Sequence, residues 1–268
     1  MATISHLLLH HLLILLTITP PALSTHQPQS PLHQQKPLRT SLRPIHATDL
    51  DALTTIIVDA FSPSAQWHYI FPNLTHQRRE IWHCYNSAIR REWPLRNPNT
   101  TFGNVIALQP EDEPVALAVW NLRLRGDGEG EDGDQRDSNA APFLLLPSLL
   151  SSSPACAPLN TTRATSLMAR LESRENAHFS HLSQLYLKLL ATHPSYDGHG
   201  FAAQNLHWGM ETAARELGGL PVTLMATPAG WLVYEAEGFA GLENVTVEMG
   251  EGEGELWFEV ARWDGEEE

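Results

Sequence analysis

Between Leu185 and Ala226 the hydrophobic period changes twice, and this change limits the chain to few architectures. Leu185 to Ala191 is a short run of high apolar content and predicts a buried strand. A glycine-containing turn follows at once. Phe201 to Leu217 then places Leu206, Met210, Ala213 and Leu217 on one helical face, and Gly218-Gly219 stops the helix. Val222 to Ala226 predicts a second strand. Parallel strands on either side of one helix need a right-handed crossover. The expected architecture is therefore a mixed α/β sheet with helices on both faces.

The flanking sequence extends that sheet. Ser41 to Ile45 suits a first strand, and Thr48 is placed to cap a helix carrying Leu50, Leu53, Ile56, Ile57 and Phe61. A helix over Leu74 to Trp93 aligns Ile81, Trp82, Tyr85, Ala88 and Ile89, and Pro94 ends it. Asn104 to Leu108 and Val115 to Leu122 read as a hairpin around Pro110 to Glu113. Residues 123–181 are long for a connection inside one domain and predict an insertion. It contains the acidic, low-complexity stretch Gly126 to Ser138 and a helix from Thr161 to Asn176. Ala229 to Glu237 predicts a short helix closed by Gly238, and Val245 to Met249 with Leu256 to Arg262 a final antiparallel pair. The organisation expected is an apolar leader at 1–24, a disordered linker at 25–40 and one domain at 41–265.

The turn before Phe201 carries the chemistry. Its glycines let backbone approach a ligand, and the helix N-terminus that follows offers unpaired N–H groups and a positive dipole end. A diphosphate is the natural guest. A plain strand-to-helix turn is the competing reading. Asp197-Gly198-His199-Gly200-Phe201-Ala202, after Ala191-Thr192-His193-Pro194, resembles the acetyl-CoA signature of the GNAT N-acetyltransferase superfamily, usually Q/R-x-x-G-x-G/A. Downstream, Val233-Tyr234-Glu235-Ala236-Glu237-Gly238-Phe239 is similar to that superfamily's second signature, Leu-Tyr-Glu-x-x-Gly-Phe. The likeness, to GNAT-domain proteins of fungal type, is clear over Leu185 to Phe239.

The resemblance implies a GNAT fold, with the long insertion ahead of the cofactor strand, and acetyl transfer from acetyl-CoA to an amine by direct attack on the thioester. It implies that the pantetheine arm pairs with main chain near Leu190 and Thr192. The diphosphate would sit on the turn, so Asp197, Gly198, His199, Gly200, Phe201, Ala202 and Ala203 are the cofactor-binding candidates. Tyr234 is the catalytic candidate, a phenol placed to protonate the leaving thiolate; its alternative is a core tyrosine. Two departures stand out: Asp197 replaces the usual Gln or Arg, and His199 replaces a longer basic residue. His178 and His181 are candidate bases, with surface or cap roles as alternatives. No third ligand accompanies them, so no metal is expected. Trp67, His68, Tyr69 and Phe71 suit either an acceptor wall or core packing.

The formal net charge of −14 over 268 residues argues against nucleic acid as a partner, since phosphates would be repelled. Cys84 and Cys156 have no motif around them and read as buried or incidental thiols, able at most to form one bridge. His6 to Thr19 is too short for a stable membrane span but, with Ala22-Leu23-Ser24 behind it, has the outline of a secretory signal. It lacks Lys and Arg, which favours a cytosolic chain. Asn73, Asn99, Asn160 and Asn244 head N-x-S/T sequons that matter only on export. Two other functions fit the sequence: an acyl-CoA-binding module without turnover, and an exported acidic binding protein.

Overall fold

The computed structural model describes residues 38–125, 156–250 and 252–265. Its elements are β1 (Thr40–Pro44), α1 (Leu50–Phe61), α2 (Ala65–Ile70), α3 (Leu74–Glu92), β2 (Thr101–Leu108), β3 (Glu113–Arg123), α4 (Thr161–Phe179), β4 (Gln184–Thr192), α5 (Phe201–Arg215), β5 (Val222–Ala226), α6 (Pro228–Ala236), β6 (Ala240–Gly250) and β7 (Gly254–Trp263). The seven strands form one sheet in the order β1-β2-β3-β4-β5-β7-β6. Only β4 and β5 run parallel; every other neighbouring pair is antiparallel. The parallel pair brackets α5, as the crossover rule requires.

The two faces bury separate cores. Leu53, Ile57, Trp67, Phe71, Tyr85, Leu171 and Phe258 fill the side under α1 to α4. Trp120, Leu185, Leu187, Leu206, Leu224 and Tyr234 fill the side under α5 and α6. On that second side α5 lies close to the sheet. A Cβ on Gly209 would stand 2.2 Å from the Trp120 ring, so glycine sets the approach. The Trp120 indole N–H donates to Asn104 Oδ1 at 3.0 Å, and Asn104 donates to Asn205 of α5 at 2.5 Å. This buried polar chain ties the N-terminal half of α5 to β2 and β3.

Several expectations change on folding. Thr48 does not cap α1. It lies inside a 3-10 turn, Ala47–Asp49, and Asp49 accepts the His46 N–H at 2.7 Å while pairing with Arg43 at 2.8 Å. The Arg43 partner on β1 draws the acidic side chain and moves the helix start. Ser64 caps α2, a short helix the apolar pattern did not announce. It buries Trp67 and Tyr69, with Phe71 just beyond, and leaves His68 exposed, so the three large rings are core. Cys84 and Cys156 are not thiols. They form a disulfide across 72 residues, with a Cα–Cα distance of 4.9 Å. The bridge joins α3 to the start of the chain's return toward α4, where the Asn160 N–H also donates to Ile70 O at 2.8 Å. Nothing local in sequence encodes a pairing over that span.

The leader, nearly all of the linker (25–37) and the acidic stretch Gly126 to Ser138 lie outside the described residues. Among the described residues, no helix is long and apolar enough to cross a membrane.

Candidate active site

The site begins with an irregularity in β4. Its pairing with β3 slips by one residue: Leu187 faces Trp120 and Leu189 faces Val119, leaving Lys188 as the extra residue of a β-bulge. Leu185 and Leu187 pack toward α5 and α6, whereas Leu189 and Ala191 pack toward α1 and α3. The bulge coincides with the end of pairing to β5, which stops at Leu187 opposite Leu224. Beyond that point Met225 and Ala226 pair only with β7. The C-terminal half of β4 therefore has a free edge facing a gap.

Alternate residues of a strand send their peptide groups to opposite edges. The His193 N–H donates to Val115 O of β3 at 2.8 Å. Counting back, Ala191 and Leu189 also address β3, and the peptide groups of Leu190 and Thr192 address the gap. The Thr192 hydroxyl is buried with no partner among the described residues. The gap thus offers an unused strand edge, to which an extended chain of amides can add.

At the open end of that edge stands the turn. Tyr196 N–H donates to His193 O at 2.8 Å and Gln204 N–H to Gly200 O at 3.0 Å. Among the described residues, the N–H groups between them at Gly198, His199, Gly200, Phe201, Ala202 and Ala203 have no backbone acceptor. Gly198 and Gly200 have φ of +76° and +75°, which turns successive N–H groups to one side. Gly200 is the N-cap of α5. The turn and the helix N-terminus therefore make one electropositive rim.

The side chains of this rim divide in role. Phe201 is buried beside Ile106, Val115 and Ala116, so only its peptide group is available. His199 folds back, its Nδ1 3.1 Å from both Tyr196 O and Asp197 O, and stacks on Phe201 at 5.6 Å. Asp197 is exposed. His193 ties the turn to α1 through Asp59, 3.3 Å from its Nε2.

Tyr234 reaches the region from α6, which Thr227 caps and Pro228 opens. Its ring is buried against Phe239 at 5.7 Å, and burial raises the phenol well above its ordinary pKa. Tyr234 packs in the same core as Leu187 of β4 and Ala226 of β5.

Tyr186 belongs to a buried polar cluster that sequence reasoning missed. Arg123 of β3 pairs with Glu175 of α4 and lies 3.9 Å over the Tyr186 ring. Burial pushes the Glu175 carboxyl up, against the downward pull of Arg123. Burial also raises Tyr186 and lowers Lys188. The Tyr186 hydroxyl and the Glu175 carboxyl also act on each other, the hydroxyl drawing the carboxyl down and the carboxylate pushing the phenol up. The one available sequence signal was Lys188, a lone charge inside an apolar strand. The candidate bases are elsewhere: His178 pairs with Glu243 of β6 at 2.8 Å, two strands beyond β5, and His181 is exposed. Among the described residues, no group of His, Cys, Asp or Glu is arranged to hold a metal.

By sequence the chain matches no protein-family model and no curated protein. By structure it is similar to several solved proteins. A Corynebacterium glutamicum protein described as histone acetyltransferase HPA2 and related acetyltransferase is 16% identical at a TM-score of 0.50, covering 85% of this chain and 97% of its own. The C-terminal condensation domain of Ebony, solved with β-alanyl-dopamine, is 13% identical at 0.56, covering 85% and 99%. Mosquito arylalkylamine N-acetyltransferase like 5b is 12% identical at 0.54, covering 84% and 99%. The fold is that of the GNAT acyl-CoA N-acyltransferases.

Proposed function

We propose that the chain transfers an acetyl group from acetyl-CoA to the amine of a small molecule or protein. The reading rests on one coincidence: the free edge of β4 leads directly into a run of unpaired N–H groups at a helix N-terminus. An extended pantetheine amide chain ending in a diphosphate needs that pair of features in that order. Leu190 and Thr192 would pair with the arm. Peptide groups from Gly198 to Ala203 would hold the diphosphate. The thioester would then lie where β4 and β5 part.

There the neutral amine attacks the thioester carbonyl. The N–C bond forms, the C–S bond breaks and the amine proton passes to water. Tyr234 gives its proton to the departing sulfur, and its phenolate then takes back the proton that the amine released to water. Its raised pKa keeps it protonated throughout the neutral range. The dry surroundings that raise the phenol also raise the basicity of a thiolate expelled beside it. Direct attack in a desolvated gap draws on positioning more than on acid strength.

Isothermal titration with acetyl-CoA, then an amine panel read by free-thiol release, tests the proposal. Two of the fold neighbours carry names connected with arylalkylamines, so these head the panel, ahead of polyamines and lysine peptides. No heat of binding would sink the reading. Asp197 supports a second one, a binding module without turnover, because its carboxylate stands at the rim meant for an anion. Saturable binding with no thiol release on any amine would favour that module.

A further inference from the structure

We propose that this chain matures in an oxidising, membrane-bounded compartment and carries an N-linked glycan on Asn99. The first observation is the Cys84–Cys156 disulfide, with both half-cystines buried. A bridge shut inside a core is a structural bond rather than an exposed switch, and such bonds form where the surroundings are oxidising. Forming it removes two protons and two electrons from the thiols. The acceptor is a dithiol–disulfide exchange partner of the compartment, itself reduced to a dithiol.

The second observation is independent of the first. Of four sequons, the fold leaves Asn73, Asn99 and Asn244 exposed, with Asn160 half-buried. They are not equivalent. Asn160 Oδ1 accepts the Arg163 N–H that starts α4, and the Asn244 carboxamide of β6 donates to Glu259 of β7. Asn73 is the N-cap of α3, so its Thr75 is wound into a helix. Asn99 lies in the tight turn between α3 and β2, where its N–H donates to Asn97 Oδ1 at 3.0 Å. Among the described residues, nothing pairs with its carboxamide. The Asn97 side chain thus closes an Asx turn, and Asn99 lies exposed at its end. The sequon hydroxyl of Thr101 lies at the start of β2, 2.9 Å from Asn121 Nδ2.

A glycan at Asn99 therefore displaces nothing. In the transfer, Asn99 Nδ2 attacks the sugar C1 of a lipid-linked diphospho-oligosaccharide. The N–C1 bond forms, the C1–O bond breaks, the lipid diphosphate leaves with the electron pair, and the amide proton goes to the transferase base. The apolar leader at 6–19 is the sequence feature that would carry the chain to such a compartment. This inference does not rest on the acyl-transfer reading; if both hold, an acyl-CoA donor must be supplied inside the same compartment.

The test is expression of the full chain from Met1 in a eukaryotic secretory host. Digestion with a glycosidase that removes N-glycans is expected to increase gel mobility. Asn99→Gln is expected to lose one step of that shift, as is Thr101→Ala, whereas Thr101→Ser, which keeps the hydroxyl, retains it. Alkylation before reduction is expected to leave Cys84 and Cys156 unmodified. Unchanged mobility of the parent after digestion, an Asn99→Gln protein that shifts like the parent, or two alkylated cysteines would each overturn it.

Discussion

Tyr234 can be tested by removing a single oxygen. Tyr234→Phe keeps the packing against Phe239 and deletes only the hydroxyl, the proton donor proposed above. Turnover is expected to fall on the order of 10²-fold with acetyl-CoA affinity little changed. Parental turnover would return the residue to the core. Because burial raises this phenol, its ionisation cannot shape the rate below pH ~10. Gly200 separates torsion from charge. A Cβ there meets nothing within 4 Å, so the cost of Gly200→Ala is the left-handed φ alone, roughly 1 kcal/mol. Gly200→Glu adds a carboxylate to the anion rim and is expected to abolish binding in calorimetry. Asp197→Gln removes one and is expected to tighten it. If both bind as the parent does, the rim is not the site. Glu175 sets a pH dependence. Its folded pKa is raised, so its contribution to stability is full below the unfolded value and is lost as pH rises through the folded one. Urea denaturation of Glu175→Gln is expected to lose this decline between acid and neutral pH.

Among the elements, the helices and the crossover were legible because their signal is local. Leu206, Met210 and Ala213 repeat at helical spacing whatever surrounds them. Val222 to Ala226 was read to the residue, since turn residues bound it on both sides. The start of α1 was misplaced because Asp49 answers to Arg43 on another element. Helix α2 went unread because its Trp67 and Tyr69 are set by the core they enter, not by a repeat. The disulfide was invisible for the same reason, on a larger scale. Closing 72 residues contributes about 4 kcal/mol by loop entropy. Cys84→Ala with Cys156→Ala is therefore expected to cost roughly 2–4 kcal/mol in denaturant. Acetyl-CoA affinity is expected to stay level, because the bridge belongs to the core opposite α5. A fall in affinity equal to the fall in stability would show instead that the bridge holds the gap open.

At the scale of the molecule, the rim of the candidate site was readable and its depth was not. Asp197 to Ala203 are consecutive, so one glance at the chain assembles them. Arg123, Glu175 and Tyr186 come from β3, α4 and β4, and only the closed sheet brings them together. The free edge of β4 was likewise hidden, since apolar content says nothing of where pairing stops. That edge begins at the bulge, and the bulge is one residue. If Lys188 were absent, Leu187 would be followed by Leu189, and Tyr186, Leu189 and Ala191 would alternate with Leu185, Leu187 and Leu190 without a break. Every apolar side chain would keep the face it now has, and the register with β3 would run straight. Such a deletion is expected to melt near the parent and to fail to bind acetyl-CoA. For a lineage of such chains, a competent ligand groove and a closed, inert sheet would lie a single codon apart.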